Sequence, residues 1–177
     1  AGAAPAVQAF LNAIPTPPPV AFLYAQHFDV DREGQLRGLV PENPAFTMTL
    51  LENHAPLEAG TVTIISPACQ FSLVRDSILT LSGRSWDSRH APDINQAIME
   101  LSRWGAAATG VILFSGMGTD GAAALADYTA SGGVAWAQHP DDAICGAMPL
   151  AAVATGCISR TDTPAALASA LCRRYSS

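Results

Sequence analysis

Val7, Phe10, Leu11 and Ile14 recur at helical spacing, which predicts a short amphipathic helix over Ala6 to Ile14. Pro15 to Pro19 ends it. Val20 to Ala25 is a continuous apolar run closing on Gln26-His27, the texture of a buried parallel strand. Asp29 to Pro44 is polar and broken by Pro and Gly, so it reads as an irregular loop, and Ala45 to Asn53 reads as a short helix. Thr61 to Ser66, Phe71 to Arg75 and Ile78 to Ser82 are short β-rich runs between turn residues, expected as an antiparallel excursion at a sheet edge. After a loop over Gly83 to His90, Pro92-Asp93 opens a helix to Trp104 with Ile94, Ala97, Ile98 and Leu101 on one side.

From there strands and helices alternate. Strands are expected at Gly110–Ser115, Val134–Gln138 and Cys157–Ser159, and helices at Gly121–Ala130, Pro149–Ala154 and Pro164–Arg174. Such alternation implies crossover connections and an α/β fold: a doubly wound, mostly parallel sheet with helices on both faces and a small antiparallel edge hairpin. Residues 1–177 are expected to form one domain, since no repeat or low-complexity linker divides them. The pattern opens on a helix, whereas doubly wound domains usually open on a central strand. That strand is expected either to lie upstream of this sequence or to be lacking.

Composition removes several functions. A net charge of −6 leaves no electrostatic footprint for nucleic acid or anionic membrane. All nine basic residues are Arg, so Schiff-base chemistry, a Walker-type phosphate lysine and a receiver-domain lysine are excluded. The four cysteines show no CxxC spacing, and they read as reduced, buried small hydrophobes rather than a zinc site. No apolar run reaches the roughly 18 residues of a membrane span, and the first residues lack a signal-peptide pattern. A cytoplasmic location is the expectation. His54 and His139 read as exposed loop residues, and Trp86, Trp104 and Trp136 as packing anchors.

The chemistry concentrates in Phe114 to Gly121, FSGMGTDG, a glycine-rich turn between the apolar Gly110–Leu113 and the helical Ala122–Leu125. Ligands and catalytic groups gather at such strand ends in parallel sheets. Gly116-x-Gly118-x-x-Gly121 fits the glycine pattern of a dinucleotide loop, with Asp141 and Asp142 about 20 residues on. Against that, Asp120 would set a negative charge in the phosphate-facing turn. The other reading pairs Asp120 with His27, each just past an apolar strand and so on the same sheet edge. An Asp that accepts from one imidazole nitrogen leaves the other to take a proton from a nucleophile.

The turn, with Ala122-Ala123 after it, resembles the T-G-M-G-x-D-G-A signature of the receptor-modification methylesterases of bacterial chemotaxis. Gln26-His27 is similar to that family's strand-end Q-H, His90-x-Pro92 to its H-R-P-S, and Ala137-Gln138 with Met148-Pro149 to its A-Q and G-M-P. The resemblance runs through nearly the whole chain in order. It implies a three-layer α/β effector domain that hydrolyses γ-glutamyl methyl esters on the cytoplasmic helices of methylated chemoreceptors, with His27 and Asp120 in a Ser-His-Asp triad. It further implies oxyanion donors near Gly2 and Met117, no metal or other cofactor, and often an upstream receiver domain.

Two departures stand out. The family nucleophile lies in G-x-S-x-G-G ahead of the first helix, where this sequence has Ala1-Gly2-Ala3-Ala4-Pro5. Ungapped alignment back from Pro15 sets the serine immediately before Ala1, and a shifted register sets Ala4 in its place. Ser115 is close to the signature but occupies its threonine. Second, Ser66-Pro67-Ala68-Cys69-Gln70 replaces the family's A-P-G-D-R-H, leaving Arg89 and His90 as substrate-binding candidates. An inactive receptor-binding module and a nucleotide-binding domain are the rival readings.

Overall fold

The computed structural model describes residues 3–28, 43–74 and 77–175. Strands β1 (Phe22–Tyr24), β4 (Thr61–Ile64) and β2 (Thr47–Leu50) form a parallel sheet in the order β1-β4-β2. Strands β7 (Gly110–Leu113), β8 (Val134–Gln138) and β9 (Arg160–Asp162) form a second parallel sheet in chain order. β3 (His54–Pro56), which lies between β2 and β4 in sequence, joins β6 (Ile78–Leu81) and β5 (Phe71–Val74) in an antiparallel sheet ordered β3-β6-β5. The predicted α/β class and mostly parallel pairing are therefore observed.

Helix α1 (Ala3–Asn12) packs on α5 (Pro164–Tyr175). Their apolar faces bury Phe10, Leu11 and Leu167 against Tyr24, Val62 and Ile64 of one parallel sheet and Trp136 of the other. This core joins the two parallel sheets. On the opposite face α2 (Ile94–Gly105), α3 (Leu125–Ala130) and α4 (Ala147–Ala154) cover β7 and β8 through Ile98, Leu113, Leu125 and the fully buried Tyr128. A third cluster, with Phe71, Leu79 and Trp86, fastens the antiparallel sheet to α2 through Ala97. The burial of Trp86 and Trp136 agrees with their reading as anchors.

Several expectations are corrected. Ala45–Asn53 is not a helix: Thr47-Met48-Thr49-Leu50 alternates exposed and half-buried positions, a period of two, and pairs in parallel with β4. The Thr61–Ser66 run belongs to β4, the centre of the first parallel sheet, because its burial on both faces suits a covered strand rather than an edge. The hairpin of β5 and β6 is antiparallel as expected, but β3 extends it, so His54 is exposed on a strand rather than a loop. The last strand starts at Arg160, since Gly156 at φ 74° closes α4 and residues 157–159 make the connection. Residues 121–124 are turns, and α3 begins only at Leu125. Most of the expected 29–44 loop lies outside the described residues.

Candidate active site

Two strand ends from different sheets meet at one point. His27, three residues past β1, places Nε2 2.6 Å from Asp120 Oδ2 on the turn after β7. The two side chains are 28% and 16% exposed, so the pair is shielded yet reachable. His27 Nδ1 makes no hydrogen bond among the described residues.

Asp120 is held on every side. Its Oδ2 also accepts from the Ile94 N–H at 2.8 Å, and its Oδ1 accepts from the Asn95 N–H at 3.0 Å, Asn95 Nδ2 at 2.9 Å and its neighbour Gly121 N–H at 2.8 Å. Ile94 and Asn95 are the first residues of α2, so the carboxylate sits where unsatisfied helix amides and the positive end of the dipole favour an anion. Asp93 caps that helix by accepting from the Gln96 N–H at 2.8 Å. Burial pushes the Asp120 carboxyl up, but hydrogen bonds from His27, Ile94 and Asn95, with the imidazole charge, outweigh burial and leave it below its ordinary value. Sequence reasoning missed Asn95. The Pro-Asp helix start was the available signal, because free N–H groups at such a start attract a carboxylate.

The glycine turn is shaped for this carboxylate. Gly118 and Gly121 have φ of 82° and 90°, the left-handed region that L side chains avoid. A Cβ on Gly121 would approach Ile94 Cγ2 to 3.0 Å and Leu113 Cδ2 to 3.1 Å, and one on Gly116 would run into the Met148 thioether. Amides that a phosphate would need are already committed: Gly116 N–H to the Cys145 carbonyl, Gly121 N–H to Asp120 and Ala124 N–H to Asn95 Oδ1. These commitments, with the Asp120 charge in the turn, weigh against the dinucleotide reading.

Met117 is 64% exposed at the mouth of the cleft that holds His27 and Asp120, and its N–H bonds nothing among the described residues. His90 stacks on His27, ring centroids 5.6 Å apart and planes 29° from parallel. Arg89 is exposed and outside the cleft lining. Gly2 lies outside the described residues. Ser115 is 2% exposed; its Oγ donates to the Cys145 carbonyl at 3.2 Å and accepts from the Cys145 N–H at 2.9 Å, which makes it a buried strut. Among the described residues no three His, Cys, Asp or Glu side chains converge to hold a metal ion, and no helix is long and apolar enough to cross a membrane.

The chain is thus a doubly covered, mostly parallel α/β domain with a His–Asp pair across two strand ends. The CheB methylesterase family model matches residues 1–171, and this chain belongs to that family. A protein-glutamate methylesterase/protein-glutamine glutaminase of Myxococcus xanthus is 30% identical over 164 residues, 90% of this chain and 47% of that protein. Another, of Anaeromyxobacter dehalogenans, is 26% identical over 164 residues, 89% of this chain and 47% of that protein. The chain thus spans about half the length of these relatives. The crystal structure of the Thermotoga maritima CheB methylesterase catalytic domain shares the fold, with a TM-score of 0.79 at 15% identity over 98% of this chain and 93% of that one.

Proposed function

We propose that the chain is the effector domain of a cytoplasmic protein-glutamate methylesterase, acting on γ-glutamyl methyl esters of chemoreceptor helices. The observation that carries this reading is the 2.6 Å His27–Asp120 bond, with Nδ1 left to serve a nucleophile. Asp120 fixes the ring and stabilises the imidazolium. His27 Nδ1 takes the proton of a serine hydroxyl as its oxygen attacks the ester carbonyl. The tetrahedral oxyanion is met by the Met117 N–H. The imidazolium then protonates the departing methoxide, which leaves as methanol. Water, deprotonated by the same nitrogen, releases the glutamate.

The serine belongs ahead of α1. Ala4, its alternative position, lies inside the first turn of the helix, which supports the ungapped register that sets the nucleophile immediately before Ala1. Stacking favours His90 over Arg89 as the substrate-side residue.

The test is methanol release from methylated receptor by the full-length protein. Activity is expected to fall by roughly a hundredfold or more in His27→Ala and in Asp120→Asn. Unchanged rates in both variants would overturn the triad. Receptor binding without methanol release in the unaltered protein would make this an inactive binding module.

A further inference from the structure

We propose that His90 is a positioning residue for His27: its ring lies against the imidazole and fixes the plane in which Nδ1 is offered to the cleft. The bond from Nε2 to Asp120 Oδ2 is the only hydrogen bond the His27 ring makes among the described residues. One bond fixes a point and a direction. It leaves the ring able to roll about that line, and Nδ1, across the ring, rolls with it. A flat neighbour removes that freedom. His90 supplies one: its ring centroid is 5.6 Å from that of His27 and its plane 29° from parallel, the geometry of an offset-stacked pair.

His90 can do this because backbone bonds set its own place. The Phe28 N–H donates to the Ala91 carbonyl at 2.7 Å, so the residues that follow the two histidines are bonded to each other. The His90 N–H donates to Ser88 Oγ at 3.1 Å, which turns the chain on the other side. Ala91 packs against the third apolar cluster, and Pro92 is fully buried. The His90 ring is thus carried on a fixed stem, although the residue itself is exposed.

The same stretch then reaches Asp120. Asp93 caps α2, and the Ile94 and Asn95 amides bond the carboxylate at 2.8 and 3.0 Å. Residues 90–95 therefore hold both members of the pair, the imidazole by its face and the carboxylate by its oxygens. His27 and Asp120 follow strands of different sheets, so a common holder relates them directly to each other. A ring that must meet a nucleophile at Nδ1 gains from this, because an error of about 1 Å in such placement costs on the order of a hundredfold in rate.

This role rests on the hydrolysis proposed above, and the experiment separates the two. In the full-length protein, His90→Ala removes the stack and His90→Phe keeps it. The first readout is the NMR signal of the His27 Nε2 proton that Asp120 accepts, which needs no turnover. It is expected to be sharp in the unaltered protein and in His90→Phe, and to exchange with water about tenfold faster or more in His90→Ala. The Tyr128 amide, bonded to the Ala124 carbonyl in the opposite core, stays slow and shows that each variant is folded. The second readout is methanol release from methylated receptor. Its kcat is expected to fall about tenfold or more in His90→Ala and to return within about threefold of the unaltered value in His90→Phe, whatever KM does. The proposal is overturned if either readout in His90→Ala matches the unaltered protein, if phenylalanine restores neither, or if alanine changes KM alone. An unaltered protein without turnover overturns the hydrolysis reading, while the proton signal of the two variants still decides the stack.

Discussion

Asn95 ties Asp120 to the start of the next helix: its Nδ2 donates to Asp120 Oδ1 at 2.9 Å while its Oδ1 accepts from the Ala124 N–H at 3.0 Å. One side chain thus braces the carboxylate and the turn that carries it. Asn95→Ala strands the Ala124 amide and removes a donor to the carboxylate. The expected cost is about 1–3 kcal/mol of stability, read from the urea midpoint. Asn95→Asp should also weaken the site, because it sets a second negative charge against Asp120.

The depressed Asp120 pKa makes stability depend on acid in a specific direction. Its folded value lies below that of the unfolded chain, about 3.9. The contribution is complete above the unfolded value and is lost as pH falls through the folded one. Urea midpoints measured from pH 6 down to pH 2 should therefore drop more steeply for the unaltered protein than for Asp120→Asn. Parallel profiles would contradict the shift.

Ser115→Ala separates a strut from a nucleophile. It removes both bonds to Cys145, so stability should fall by about 1–2 kcal/mol in thermal denaturation. Methanol release per folded molecule should remain within about threefold of the unaltered rate. Complete loss of turnover in a folded variant would return Ser115 to the chemistry.

Gly118 and Gly121 share a left-handed backbone but differ in their surroundings. Alanine at Gly118 meets open space and should cost about 1–2 kcal/mol from backbone strain alone. Alanine at Gly121 adds close contacts with Ile94 and Leu113 and should cost more, by about 1–3 kcal/mol. Chemical denaturation of the two variants side by side checks the order.

Much of this was legible from pattern. Val134–Gln138 was readable to the residue because an apolar run followed a glycine pair, and α5 because Pro164 opened an amphipathic stretch. The His27–Asp120 pair followed from one rule, that side chains just past parallel strands share an edge. What stayed hidden depended on tertiary placement. Four residues, Thr47 to Leu50, are too few for their alternation to override a helical reading. The parallel pairing of β4 cannot be inferred from its own composition. Asn95 looked like any exposed first-turn residue until Asp120, 25 positions later, came to rest on it.

The seam between the two parallel sheets gives the His27–Asp120 bond a second office. His27 belongs to the β1 side and Asp120 to the β7 side, 93 residues apart in the chain. Their contact spans the seam, so the pair acts as a clasp between two halves of the molecule. On the proposed reading, any shift of one sheet against the other would lengthen the bond on which the chemistry depends.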